Sequence, residues 1–191
     1  MVGEATDLNS ILRVFRWTAA GGIEDLTSLL AAPYSLSGVS SNGAVLAGAN
    51  AAGVFRWPVA GTLVTAPMLA GDTSCGSNVR LSDDGSVIVG VCRASSTSAD
   101  RVIRWRQTGQ TLNPEVLATP PGTNTAWPKG VNRNGTVVVG QLITDGSASS
   151  VRWTSAGMDT IAVPSGASAV YSMGVSADGL VVVGYEYTVD G

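Results

Sequence analysis

Four segments of this chain follow one eleven-residue pattern, close to Gly-Val-Ser-x-Asn-Gly-x-Val-Val-Val-Gly, with Asp in place of Asn in two copies. Asn-Gly and Asp-Gly between apolar arms are the strongest short signal for a β-hairpin, because both residues tolerate a positive φ. We therefore predict four hairpins with these residues at their turns. The segments are Gly38–Gly48, Arg80–Gly90, Gly130–Gly140 and Gly174–Gly184, and the turn residues are Asn42, Gly43, Asp84, Gly85, Asn134, Gly135, Asp178 and Gly179.

A second motif, an apolar residue followed by Arg-Trp, alternates with the hairpins. Its tryptophans are 40, 48 and 48 residues apart, and the turn glycines are 42, 50 and 44 apart, which gives a period of about 45 residues. A further apolar segment follows each tryptophan, so each period contains four strands, as a propeller blade does. One tryptophan in each strand centre suits packing between blades. We therefore predict a structural core role for Trp17, Trp57, Trp105 and Trp153.

The two motifs together predict an all-β, propeller-like array of four repeats, each of about 45 residues and four strands. We expect a half blade at each end of the chain to join into one composite blade, which closes a four-bladed ring and removes free sheet edges. The alternative is a fragment of a larger propeller; a parallel β-helix is less favoured because its coils are shorter. The predicted single repeat domain, 1–191, divides into half blades at 1–30 and 166–191 and full repeats at 31–70, 71–120 and 121–165.

The charge and hydropathy of the chain exclude two classes of partner. The formal net charge is −3 and lysine occurs once, at Lys129, whereas nucleic-acid binding needs clustered Lys and Arg. The apolar runs are strand-sized, well short of the roughly 20 residues of a membrane-spanning helix. We therefore expect neither nucleic-acid binding nor membrane insertion by this chain. The first residues also lack the basic and apolar regions of a signal peptide.

The two cysteines, Cys75 and Cys92, lie on opposite arms of the second hairpin. Around a two-residue turn at Asp84 and Gly85 they would be diagonal neighbours at roughly 7–8 Å, just beyond the reach of a disulfide. A bulge or a longer loop would bring them together, so the sequence leaves a disulfide open. Their confinement to one hairpin favours a structural role over a metal site, which needs further ligands.

The hairpin pattern followed by Phe-Arg-Trp resembles the HAF repeat of bacterial proteins with an expected extracellular location, and the resemblance covers essentially the whole chain. The resemblance implies repetition and a secreted or cell-surface location. The family takes its name from a His-Ala-Phe triplet before Arg-Trp, and this chain contains no histidine. The residues found there instead are Arg13-Val14-Phe15, Gly53-Val54-Phe55, Arg101-Val102-Ile103 and Ser149-Ser150-Val151.

The segments outside the repeated motifs are the first places to look for a binding site, because variable loops carry function on a repeated scaffold. The longest of them, Asn113–Ala126, contains three prolines and is predicted to be a surface loop, and the search for a site extends from it to Lys129. Trp127 is an aromatic outside the repeated pattern, and Tyr34 and Tyr171 precede their hairpins at similar positions. We predict these three as candidate ligand-binding residues.

Two repeated polar features have a binding interpretation and a structural one. Arg16, Arg56, Arg104 and Arg152 would form a ring that could hold an anion, but their recurrence in every repeat favours packing against the neighbouring blade and pairing with carboxylates or carbonyls. Asp83 and Asp84 could bind calcium, but the ligand ladder of a calcium loop is absent. We expect neither a metal site nor a cofactor, with Ca²⁺ as a minor alternative.

The sequence favours a non-catalytic function. Histidine is absent and no nucleophile elbow or phosphate loop is present. We predict an extracellular propeller module for binding or adhesion, with a glycan or a cell-surface protein as partner. The alternatives are a structural repeat subunit that self-associates into a larger ring or filament and, less favoured, a glycan-active hydrolase.

Overall fold

The computed structural model describes residues 1–29 and 34–188, with Leu29 and Tyr34 described by their backbone alone. Within these ranges the chain forms five separate antiparallel sheets of three, four, four, four and two strands in sequence order. The first sheet holds β1 (Val2–Thr6), β2 (Leu12–Thr18) and β3 (Gly22–Asp25) and is followed by the 3-10 turn Thr27–Leu29; the second holds β4 (Tyr34–Val39), β5 (Val45–Asn50), β6 (Gly53–Pro58) and β7 (Val64–Thr65). The third sheet holds β8 (Ser74–Leu81), β9 (Val87–Arg93), β10 (Arg101–Thr108) and β11 (Thr111–Leu117); the fourth holds β12 (Thr123–Val131), β13 (Val138–Thr144), β14 (Ser147–Thr154) and β15 (Gly157–Thr160); the fifth holds β16 (Ala167–Val175) and β17 (Val182–Thr188).

Each sheet is a meander, in which every strand pairs with the next along the chain. The valine-rich second strand of a full sheet lies between the first and third strands and is covered on both faces. In β9, Val87, Ile88 and Val89 are at most 1% exposed. An unbroken apolar run suits such a strand because neither of its faces meets water. The all-β, propeller-like architecture predicted from the repeats is therefore confirmed.

The predicted turn residues lie at the hairpin turns, but the loops are longer than the two-residue turns predicted. In the first hairpin, the Gly43 amide donates to the Ser40 carbonyl and the Ser40 amide donates to the Val45 carbonyl. This is a four-residue loop built around a β-turn. The turn glycines have φ between 68° and 79°, whereas the Asn or Asp before each glycine does not take a positive φ.

The Asn or Asp is favoured for its side-chain acceptor rather than for its backbone. Asn42 Oδ1 accepts hydrogen bonds from the Ala44 amide at 3.0 Å and from the Ser40 hydroxyl at 2.7 Å. Asp84 Oδ1 accepts the equivalent bonds from the Ser86 amide and the Ser82 hydroxyl. A short polar side chain that bonds to its own turn backbone stabilises this conformation.

Cys75 and Cys92 form a disulfide, with their Cα atoms 4.1 Å apart. The two residues face each other directly in the register of β8 and β9. The ladder is irregular on both sides of Ser77, and Gly76 and Asn78 take φ values of 139° and 52° there. A bulge in β8 therefore brings together two residues that a regular ladder would leave diagonal.

The apolar cores lie between successive sheets. Trp57, Trp105 and Trp153 are at most 6% exposed, and each packs with residues of the sheet before its own. The partners are Val14 and Leu26 for Trp57, Val54 and Ala66 for Trp105, and Val89 and Leu117 for Trp153. Trp17 departs from the predicted core role: it is 42% exposed, because no other sheet of the described residues covers it.

The two ends of the described chain do not form a composite blade. β17 pairs only with β16, and β1 to β3 form a sheet of their own. Gly3 of β1 pairs opposite Phe15, as Gly140 of β13 pairs opposite Val151. β1 therefore occupies the place beside β2 that β17 would need, and the closed four-bladed ring is not confirmed.

The segment Asn113–Ala126, predicted to be a surface loop, is mostly strand. β11 continues to Leu117 and β12 begins at Thr123, so only residues 118–122 connect the two sheets. Pro114 is tolerated in β11 because this strand lies at the edge of its sheet. Trp127 consequently lies inside β12.

Candidate binding face

Three of the four arginines of the Arg-Trp motif link their sheet to the next. Their guanidinium groups donate to carbonyls of the turn glycines in the following sheet: Arg56 to Gly85 at 2.8 Å, Arg104 to Gly135 at 3.3 Å and Arg152 to Gly179 at 3.5 Å. Opposite each of three arginines stands a carboxylate of the same sheet: Glu24 for Arg16, Glu115 for Arg104 and Asp159 for Arg152. The arginine row is thus occupied by scaffold contacts, as its recurrence in every repeat indicates.

The face of the fifth sheet that points away from the fourth sheet, here called the open face, is apolar and uncovered. It is formed by Val181, Val183, Tyr185 and Tyr187, which are 50–59% exposed. Their counterparts in the third sheet include Val87 and Val89, which are at most 1% exposed because the fourth sheet covers them. A contiguous exposed apolar patch of this kind marks an interaction surface.

Three tyrosines form a cluster on the open face. The rings of Tyr171 and Tyr185 are stacked with centroids 5.2 Å apart, and the ring of Tyr187 meets both edge-on at 5.5 and 5.7 Å. Mutual contact restricts the rotamers of all three rings, so a partner would meet a preorganised aromatic surface.

Tyr171 is a residue predicted from the sequence, whereas Tyr185 and Tyr187 are not. A signal for Tyr185 exists in the repeats, since it follows the closing glycine of the hairpin where the other copies have Ala49, Val91 and Gln141. Its exposure depends on whether another sheet covers it, and no sheet of the described residues does.

A cleft of about 330 Å³ opens between the fourth and fifth sheets, beside the edge of β17 that faces away from β16. Its lining is mostly apolar and includes Ile161, Ala162, Gly184 and Tyr185, with Ser150 and Glu186 as polar members.

Two buried serines fix the floor of this cleft. The Ser150 hydroxyl donates to the Val170 carbonyl at 3.0 Å and accepts from the Ser172 amide at 2.7 Å. The Ser172 hydroxyl donates to the Gly140 carbonyl at 2.9 Å. These bonds tie β16 to the fourth sheet, so the cleft has a defined shape.

The predicted binding residues are not brought together at one loop. Trp127 lies opposite Gln141 in β12, and the Lys129 ammonium sits 5.7 Å from the centre of its ring. The Trp127 ring face is therefore engaged by a cation within the same strand. Tyr34 begins β4 opposite Asn50, and its side chain lies outside the described part of the structure. Glycan binding through these residues stays a prediction.

Of the two acidic residues considered for calcium, Asp84 is used by the protein itself. Asp84 accepts three hydrogen bonds at Oδ1, from the Ser82 hydroxyl and from the amide and hydroxyl of Ser86. Although partial burial acts to raise the pKa of Asp84, these bonds and the Arg133 charge outweigh it and hold the pKa below its ordinary value. Another acidic group, Asp72, lies beside the sulfurs of the disulfide, but disulfide sulfurs are not the thiolates that bind metal.

Comparisons with known proteins support the fold. No family model and no curated protein match the chain, so the resemblance to the HAF repeat stays a prediction. Solved structures with a similar fold include TolB from Acinetobacter baumannii, with 16% identity and a TM-score of 0.57 over 83% of this chain and 39% of that chain. The putative TolB from Agrobacterium tumefaciens has 14% identity and a TM-score of 0.58 over 88% and 62% of the two chains. Kuenenia stuttgartiensis hydrazine synthase has 16% identity and a TM-score of 0.54 over 92% and 50%.

At these identities the likeness concerns the fold alone. The chain spans between 39% and 62% of the length of the three similar structures. In the described residues no helix is long and apolar enough to cross a membrane. The chain therefore has a TolB-like propeller fold, of which five blades or partial blades are present in the described residues.

Proposed function

We propose that this chain is a non-catalytic propeller module that binds protein through the open face of its fifth sheet. The observation that carries the proposal is the exposure of Val183 and Tyr185, whose counterparts in the third sheet, Val89 and Val91, are buried. Ordered tyrosines surrounded by aliphatic side chains are the typical centre of a protein-binding surface. The similarity to TolB supports the propeller fold on which this face stands.

The carboxyl groups with a shifted pKa serve the scaffold. Wherever burial and bonding shift the pKa of a carboxyl group in the described residues, the shift is downward, as in Asp25, Asp84 and Glu115. A general acid needs the opposite shift, to keep its proton near neutral pH. These carboxylates instead serve as hydrogen-bond acceptors for turns and arginines.

Selection from a random peptide display library tests the proposal. We expect the protein to enrich peptides rich in aromatic and aliphatic residues, and we expect a Val183→Ser/Tyr185→Ser double variant to lose them. Val116→Ser is the matched control, because Val116 is also 50% exposed but lies in β11 of the third sheet. Enriched peptides that bind the double variant as well as the wild type would contradict the proposal.

Self-assembly is a second candidate function, and both ends of the row favour it. Trp17 and Ile23 are 42% and 72% exposed on the first sheet, while the open face lies on the fifth. Complementary faces at opposite ends would generate head-to-tail rings or filaments. Light scattering tests this: a mass that rises with protein concentration and falls in the Tyr185→Ser variant supports assembly, and a constant monomer mass excludes it.

The disulfide supports a location outside the cytosol. Structural disulfides persist in oxidising compartments and are rare where thiols are kept reduced. The Cys75–Cys92 bond therefore favours the secreted or cell-surface location expected from the sequence. Thiol labelling of the protein from its native source tests it, since two free thiols would contradict this location.

A further inference from the structure

The tryptophans of the third and fourth sheets occupy sockets of the same construction. Trp105 donates its indole N–H to the Pro67 carbonyl of the preceding sheet at 2.8 Å, and Trp153 donates to the Ala118 carbonyl at 2.7 Å. Trp105 also lies against Gly90 of the neighbouring strand, where a Cβ would approach the ring to 3.4 Å. A socket thus consists of a carbonyl after the last strand of one sheet and a glycine in the second strand of the next.

A repeated backbone hydrogen bond identifies the counterparts of these residues beside the cleft. The Ala66 amide donates to the Val54 carbonyl at 2.8 Å, and the Ile161 amide donates to the Ser150 carbonyl at the same distance. Ile161 therefore corresponds to Ala66, and the next residue, Ala162, corresponds to Pro67.

The second strand of the fifth sheet supplies the glycine that corresponds to Gly90 of the Trp105 socket. Gly184 closes its hairpin as Gly90 does, and it lines the cleft together with Ser150, Ile161 and Ala162. The 330 Å³ cleft thus has the parts of a tryptophan socket, and no tryptophan of the described residues lines it.

A strand next to β17 would place a side chain in this cleft. In the full sheets the tryptophan comes from the third strand, which pairs with the second, as Trp105 of β10 pairs opposite Ile88 of β9. β17 is a second strand, and in the described part of the chain its other edge has no partner. An open strand edge adds further strands readily, because its backbone groups lack partners.

We propose that the cleft and the edge of β17 together bind an extended partner segment with the sequence pattern aliphatic-Arg-Trp, which adds to β17 as an antiparallel third strand. The tryptophan fills the socket and donates its indole N–H to the Ala162 carbonyl. The inference rests on the proposed protein-binding function and names the chemistry of the partner.

The test uses the whole chain and a labelled peptide with the sequence 101–117, which contains β10, β11 and Trp105. We expect saturable binding by fluorescence anisotropy and slower hydrogen exchange of the β17 amides. A Trp105→Ala peptide should bind about 30-fold more weakly or worse, as expected for a buried tryptophan anchor.

Variants of the protein locate the binding. Ile161→Arg places a charge in the cleft and should abolish binding, whereas Val163→Arg is the control, because Val163 is 47% exposed and does not line the cleft. Circular dichroism and the unfolding midpoint verify that both variants fold.

Several outcomes overturn the proposal. These are no binding, equal binding of the Trp105→Ala peptide, unprotected β17 amides in the complex, or equal loss in both arginine variants. Dimerisation that disappears with Trp17→Ala would make a second copy the occupant and would also overturn it. If peptides selected by display bind the open face while the 101–117 peptide does not, the proposed function stands and only this inference fails.

Discussion

The indole nitrogen of Trp153 donates a hydrogen bond to the carbonyl of Ala118, 2.7 Å away and directly after the last strand of the preceding sheet. We expect Trp153→Ala to lower the free energy of unfolding by about 3–5 kcal/mol, because it empties a core between two sheets. Trp153→Phe keeps most of the packing but leaves the carbonyl without its donor, at a cost of about 1–3 kcal/mol. Chemical denaturation measures both.

The control for these substitutions is Trp17→Ala, since Trp17 is the equivalent residue of the first sheet and is 42% exposed. Its expected cost is about 1 kcal/mol. Equal losses at Trp17 and Trp153 would show that packing between sheets is not what Trp153 contributes.

A glycine at the hairpin turn can be required by its positive φ or by the close approach of a neighbouring sheet, and a comparison of Gly135 with Gly43 distinguishes the two reasons. Their φ values are nearly the same, 68° and 70°, so alanine costs about 1–2 kcal/mol of backbone strain at either position. A Cβ on Gly135 would lie 2.3 Å from Val87 Cβ, whereas a Cβ on Gly43 would meet nothing within 4 Å. We expect Gly135→Ala to lose about 1–3 kcal/mol more than Gly43→Ala, measured by urea unfolding; equal losses would contradict the close approach of the sheets.

Glu115 should contribute a pH-dependent part of the stability. Its hydrogen bonds with Arg104 hold its pKa below the ordinary value of 4.5, despite an opposing effect of partial burial. Because the pKa is lower in the folded state, this stabilisation is present above about pH 4.5 and is lost as the pH falls through the folded pKa. Unfolding of the wild type and of Glu115→Gln between pH 7 and pH 2 should therefore show the smaller pH dependence in the variant, and parallel curves would argue against this ion pair.

The disulfide should stabilise the third sheet. The two cysteines are 17 residues apart in the sequence. A disulfide across this separation adds about 3 kcal/mol to the free energy of unfolding, chiefly by restricting the unfolded chain. Reduction with dithiothreitol should lower the unfolding midpoint of the wild type and leave a Cys75→Ser/Cys92→Ser variant unchanged. An unchanged wild-type midpoint after complete reduction would contradict the prediction.

Calcium should leave the stability unchanged. The Oδ1 atom of Asp84 already accepts three hydrogen bonds within its turn, so binding a cation there would require breaking them. The melting temperature in millimolar CaCl₂ should equal that in EDTA. A higher melting temperature in CaCl₂ that disappears in Asp83→Asn would instead support the calcium alternative.

The positions of the four hairpins and the repetition are determined by the sequence alone, because they depend on neighbours along the chain. The unbroken apolar run Val87–Val89 predicts a strand that is covered on both faces. The glycine of each Asn-Gly or Asp-Gly pair takes the positive φ that its turn requires. Alternation within a strand likewise separates the arginine of each Arg-Trp motif from its tryptophan.

Three features are decided by the tertiary structure. The pairing register of β8 and β9 depends on a bulge. The bulge at Gly76 and Asn78 places Cys75 directly opposite Cys92, where a regular ladder would leave them diagonal, and so allows the disulfide. Burial depends on whether a sheet has a neighbour, so Trp17 is exposed where Trp105 is buried. The candidate site follows from the same cause, because the position of Tyr185 is buried in the third sheet, where it holds Val91, and exposed in the fifth, which no other described sheet covers.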